Sequence, residues 1–328
     1  MKKIFLGFIL LFIFLLTGCQ NYNEKSIKND INKNYKNLKG YHILGKLEVY
    51  SGDNTYKYNV ESSKYNDNYR VLLVNKNNNH EQIIIKNDDG VYVLTPSLNK
   101  TFKFQSNWPE NSSQVYLLDS ILNDINSDKK MKLVKTKDNY IVESNLAYSN
   151  NKNLVKEKIY LDKNINMKKI EVYDNDSVLQ MKMTFDEIDK RATFNDNYFS
   201  VKENMKTDSI KTEETMNEIE DVIYPMYLPS GTYLSSEENV SIDGGERIIL
   251  TFSGESPFIL VQETVNSNEE DIPVSGEPEF ILDTLGAVSL NSVNFISNGI
   301  EYYLSSDSLT VEEMMQVAKS ISPVAVMK

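Results

Sequence analysis

Between Ile27 and Leu38 the apolar residues Ile27, Ile31, Tyr35 and Leu38 recur at helical spacing, with charged and amide side chains between them. That period predicts a short amphipathic helix, with Gly40 as its stop. Beyond it the period drops to two. Tyr56, Tyr58 and Val60 alternate with polar residues, and β-rich runs follow at 69–74, 81–85, 91–94 and 101–104. Asparagine-rich stretches at 75–79 and 87–90 read as turns between them. Short successive strands joined by tight turns predict an antiparallel meander.

A second helix interrupts the strands. Val115, Leu118, Ile121, Leu122 and Ile125 share one face, with Ser112 or Ser113 placed to cap it. Strands resume at 131–136, 140–143, 155–161, 167–173 and 178–185. Residues 205–221 are rich in Lys, Thr and Glu and contain no aromatic, which marks a boundary. A new unit begins at Tyr224-Pro225-Met226-Tyr227-Leu228-Pro229, where the prolines set a rigid entry. Strand runs lie at 247–252, 258–262, 293–296 and 300–304. The last helix has Thr310 as cap, Glu313 completing a capping box, an apolar face of Met314, Met315, Ala318 and Ile321, and Pro323 as its stop. The fold class is α+β: a curved antiparallel sheet with helices on one face, then a small α+β domain.

The amino-terminal end carries a different pattern. Lys2-Lys3 precedes an unbroken apolar run from Ile4 to Leu16, and Leu16-Thr17-Gly18-Cys19 follows. Basic flank, apolar stretch and small-residue cut site are the parts of a secretory signal, and the run is too short for a permanent span. Cys19, the sole cysteine, stands where the lipobox of bacterial lipoproteins has its lipidated residue. Two acyl chains on that thiol hold a protein stably on a membrane. Residues 1–18 are thus expected to be a lipoprotein signal peptide and 19–26 a tether, placing the folded chain on the extracytoplasmic face of the cell membrane. The remainder is too long for one typical domain and suits two. The net charge of -12 makes nucleic acid an unsuitable partner.

Candidate catalytic chemistry is sparse. The two histidines, His42 and His80, lie in no nucleophile motif, and His80 sits in a turn. Zinc-type ligand spacing and glycine-rich phosphate loops are missing from the sequence. Asp174-Asn175-Asp176 and Asp186-Glu187-Ile188-Asp189 lack a full calcium-loop pattern. No metal or other cofactor is expected, and no enzymatic activity. The strand residues with period two are the more informative set: Leu47, Val49, Tyr58, Val60, Leu72, Val74, Val91, Val93, Phe102, Phe104 and Trp108. On one face of a curved sheet they form either a core sealed by the inserted helix or an open apolar groove for an acyl chain, a lipid or a partner. A one-residue slip in any strand reverses its assignment.

Several strings sharpen this. The stretch from Asp89-Gly90-Val91-Tyr92 through Thr95-Pro96 to Lys100-Thr101 resembles the LolA-like lipoprotein-carrier superfamily, where a strand ends at a proline before the next. Ile159-Tyr160-Leu161-Asp162 with Met167-Lys168-Lys169-Ile170-Glu171-Val172-Tyr173 resembles the later hairpin of that fold, and Phe194-Asn195-Asp196-Asn197-Tyr198-Phe199 its closing tail. The likeness covers 27–204; 205–223 is a linker and 224–328 a small C-terminal domain. In that domain Tyr224–Gly231, Phe258–Glu263 and Tyr302–Ser306 resemble a unit found beside LolA-like domains. The whole chain resembles the sporulation and germination lipoproteins of the YdcC and GerS-related kind, with the two-domain plan of RseB. This resemblance implies a non-enzymatic, membrane-anchored binder of a lipid, an acylated protein or an envelope protein such as a peptidoglycan amidase. The alternatives are an RseB-like regulator of an anti-sigma factor and, from another class, a cell-wall or lipid hydrolase.

Overall fold

The computed structural model describes residues 22–106, 108–109, 114–148, 151–206, 219, 221–242, 245–265 and 272–321. The expected signal peptide, Cys19, the alternative caps Ser112 and Ser113, most of the expected linker and Pro323 lie outside these residues.

Helix α1 (Glu24–Tyr35) begins at a reciprocal capping box, with Asn23 accepting from the Ser26 N–H while Ser26 accepts from the Asn23 N–H. It buries Ile27, Ile31 and Tyr35. It ends before Leu38, and Gly40 opens the first strand instead of stopping the helix. Strands β1 (Gly40–Ser51), β2 (Asn54–Tyr65), β3 (Asn68–Asn75), β4 (Glu81–Asn87), β5 (Gly90–Thr95) and β6 (Lys100–Gln105) follow as a meander. Helix α2 (Leu118–Ser127) then interrupts. Its N-cap position is held by Leu117, without a side-chain cap, and Val115 is buried ahead of it. Strands β7 (Lys132–Lys135), β8 (Asn139–Asn145), β9 (Leu154–Asp162), β10 (Met167–Asp174) and β11 (Leu179–Asp189) complete the first unit.

The two halves meet at β1, which pairs with β2 on one side and with β11 on the other. One face of this sheet carries α1 and α2, whose Ile27, Ile31, Leu118, Ile121 and Ile125 enter the main core. The opposite face has a smaller cluster of Ile83, Ile85, Tyr92 and Leu94. It is covered by Val201 and Met205, beside the short helix α3 (Val201–Asn204). In the segment before α3, Phe194 stacks on Tyr198, and Phe199 meets both edge-on.

The second unit contributes β12 (Thr232–Ile242), β13 (Gly245–Gly254), β14 (Phe258–Thr264), β15 (Ile272–Ser275), β16 (Glu277–Ile281), β17 (Thr284–Val288), β18 (Ser292–Ser297) and β19 (Ile300–Ser305). Seven of them form a second sheet in the order β12-β13-β14-β19-β18-β17-β16. Helix α4 (Val311–Lys319) starts at the Thr310–Glu313 capping box and buries Met314, Val317 and Ala318 against it. Met315, expected on the apolar face, is only partly buried.

The remaining strand, β15, pairs in parallel with β6 of the first sheet, Ile272 opposite Phe102 and Val274 opposite Phe104. The chain leaves one sheet for the other at Gly276, whose φ of +98° and close approach to the Val288 carbonyl leave no room for a Cβ.

Candidate functional site

The helix-bearing face of the first sheet holds most of the apolar residues marked out by the sequence. Leu47, Val49, Tyr58, Val60, Val91, Val93, Phe102, Phe104 and Trp108 belong to one buried cluster, none more than 8% exposed. Leu72 and Val74 do not belong with them. Val60 pairs with Leu73 and Ser62 with Val71, so Val71 and Leu73 face the helices. Leu72 packs in the cluster on the opposite side. The run Val71-Leu72-Leu73-Val74 is apolar on both faces and offers no alternation from which to fix a register.

The second unit closes part of this face. Phe280 on β16 packs its ring against Tyr58 at 5.5 Å. Val274, Leu285 and Ala287 enter the same cluster. Gln82, buried on β4, donates from Nε2 to the Leu285 carbonyl at 3.3 Å and accepts the Leu285 N–H at 2.6 Å. Ser106 donates to Glu277 at 2.5 Å. Lys100, only 2% exposed, lies 3.8 Å from Glu301. An apolar ligand for this face has to displace the chain's own side chains.

At the junction a group of acids surrounds Tyr148, with Glu157 buried and Asp124 and Glu279 half-buried. Tyr148 donates to Asp124 of α2 at 2.5 Å. Burial raises the Asp124 carboxyl above its ordinary range. Glu157 of β9 is 1% exposed; burial, then the charge of Asp124, raises it strongly. Burial pushes Glu279 of β16 up to about 7. One oxygen of Glu157 and one of Glu279 lack a hydrogen-bond partner among the described residues. Isolated carboxylates in such surroundings cost several kcal/mol to ionise. No motif in the sequence marks these residues, because they come from separate elements.

Neither histidine belongs to this group of acids. His42 Nδ1 is 2.9 Å from Ser63 Oγ, which is 3.0 Å from Tyr198 OH. Ser63 is fully buried, so this serine–histidine contact gives a substrate no access to the hydroxyl. His80 belongs to the turn between β3 and β4. Asp174 spends its oxygens on the Asp176 and Val178 N–H groups and on Gln180. Among the described residues no cluster of His, Cys, Asp or Glu is suited to a metal ion. No described helix is long and apolar enough to cross a membrane.

The chain is 33% identical to the sporulation protein YdcC of Bacillus subtilis (strain 168) over 332 aligned positions, covering 98% of each chain. The chain belongs to the YdcC family. No protein-family model matches it. Solved structures resembling this YdcC-family chain include MucB, at 12% identity and a TM-score of 0.35, covering 92% of this chain and 98% of that one. A LolA-superfamily protein from Nitrosomonas europaea aligns at 15% identity and a TM-score of 0.33, covering 56% and 99%. The complex of the CwlD amidase with the GerS lipoprotein from Clostridioides difficile aligns at 16% identity and a TM-score of 0.30, covering 54% and 98%.

Proposed function

We propose that this YdcC-family chain is a membrane-anchored, non-enzymatic binding protein that works in spore formation by holding an envelope protein partner. Its full-length likeness to a sporulation protein supports the setting. The filled helix-bearing face carries the choice of a protein partner over a hydrophobic cargo. Phe280 and Leu285 occupy the ground a lipid tail would need, and their burial at about 25 cal/mol per Å² has to be repaid by any replacement. The sequence from Lys2 to Cys19 supports an anchor on the extracytoplasmic face through a lipid on Cys19. A cell-wall amidase is the first partner class to test.

Crosslinking of the full-length chain in sporulating cells, followed by mass spectrometry, tests this reading. One envelope protein should be enriched over a control in which Cys19 is replaced by Ser. If the purified Cys19→Ser chain instead carries a stoichiometric non-covalent lipid in native mass spectrometry and no envelope protein is enriched, the partner reading fails. The carrier reading then stands.

A further inference from the structure

Charge is divided unevenly along the chain. Residues 221–328 carry 17 acidic side chains against three basic ones, whereas residues 1–220 carry 30 against 32. The net charge of -12 therefore resides in the second unit. The two basic side chains among its described residues both lie beside carboxylates. Arg247 pairs with Glu263 at 2.7 Å, and Lys319 lies within electrostatic reach of Glu279.

The acidic unit also has an uncovered sheet face. Helix α4 with Ile219, Val222 and Ile223 packs against one side of the second sheet. On the other, Ile249, Val261 and Tyr303 stand opposite one another across β13, β14 and β19, with Ile259 in the next row. Ile259 is 43% and Tyr303 41% exposed. Beside this stripe runs β12, an edge strand of 11 residues paired only with β13 and exposed over most of its length. Natural edges of this length are usually shortened, covered or guarded by lysine and proline. Residues 232–242 contain neither, and their charged side chains are Glu237 and Glu238.

We propose that β12, with Tyr233 and Val240 exposed on one of its faces, is the docking edge for an extended segment of a protein partner that alternates basic and apolar side chains. The backbone of such a segment pairs with the free edge, its apolar residues lie beside the exposed Tyr233 and Val240 of β12, and its cations meet the acidic rim. A second copy of the chain is a poor occupant, because like charge across the contact opposes association. The proposal deepens the binding reading above and rests on it.

A ten-residue peptide of alternating lysine and valine is a suitable probe, with a glutamate–valine peptide as its control. Added to the full-length chain in detergent, the basic peptide should slow hydrogen exchange in residues 232–242. The acidic peptide should not. Joint replacement of Glu237 and Glu238 by Lys should weaken basic-peptide binding by about tenfold, and Val240→Ser should weaken it without changing its salt dependence. Both positions are exposed, and thermal unfolding checks that the variants are folded. If the double variant does not fold, the salt dependence of the parent chain and the Val240→Ser result decide. Equal binding of both peptides, protection elsewhere, or binding insensitive to Val240→Ser overturns the proposal. A cellular crosslink that maps only to the first sheet overturns it too, while leaving the binding reading intact.

Discussion

The side chain of Gln82 exchanges two hydrogen bonds with the backbone of Leu285, donating to its carbonyl at 3.3 Å and accepting from its N–H at 2.6 Å. A primary amide thus replaces the peptide group of a neighbouring strand where β17 meets β4. Both partners are buried, so water is a poor substitute for either bond. This contact, the parallel β15–β6 pairing and the Phe280–Tyr58 packing join the two sheets.

Gln82→Leu removes both bonds at similar volume. Leaving a buried donor and acceptor unsatisfied costs about 1–3 kcal/mol. The expected result is a lower unfolding temperature and faster hydrogen exchange in residues 284–288. Unchanged exchange there would show that Gln82 does not hold the two units together.

The register of β3 has a direct test. Leu73 is 2% exposed on the helix-bearing face, whereas Leu72 is only partly buried on the opposite side. Leu73→Ala should cost about 2–5 kcal/mol in chemical unfolding, and Leu72→Ala less than half as much. The reverse order would place the strand one residue out of register.

The buried acids give stability a sign with pH. Burial raises Glu279 from 4.5 to about 7 and shifts Asp124 and Glu157 upward too. Each holds a proton in the folded chain at a pH where the unfolded carboxyl has lost it. Their contribution is complete below the ordinary carboxylate range and is lost as pH rises through the folded value. Glu48, Asp162 and Glu171 are shifted downward and act at lower pH. The unfolding temperature should therefore fall as pH rises from about 5 to about 7. Glu157→Gln should flatten that slope. A temperature that climbs across this interval in the parent chain would refute the account.

Replacing Cys19 by Ser removes the thiol on which the proposed anchor depends. The variant should move from the membrane to the soluble fraction on cell fractionation, with an unchanged unfolding curve. Retention at the membrane would exclude a lipid on this residue as the anchor.

Local pattern determined much of this protein without help from the fold. Ile27, Ile31 and Tyr35 recur at helical spacing and are buried along α1. Thr310 and Glu313 form their box within a single turn. The asparagine-rich turns separate β3 from β4 and β4 from β5. In each case the deciding interaction lies within a few residues of sequence. The α+β class and the apolar set on the first sheet follow from those periods.

Tertiary structure decided what the periods leave open. The faces of Leu72 and Leu73 were chosen by pairing with β2, because their own run is apolar throughout. β12 escaped notice because an exposed edge strand carries no apolar alternation. β15, β16 and β17 are too short to show a period, and β15 left its own unit to pair with β6. Gln82 and Leu285, or Tyr148 and Glu279, become neighbours only when the two units are packed. Long-range hydrogen bonding and burial set these relationships, and a linear sequence encodes them only through the whole fold.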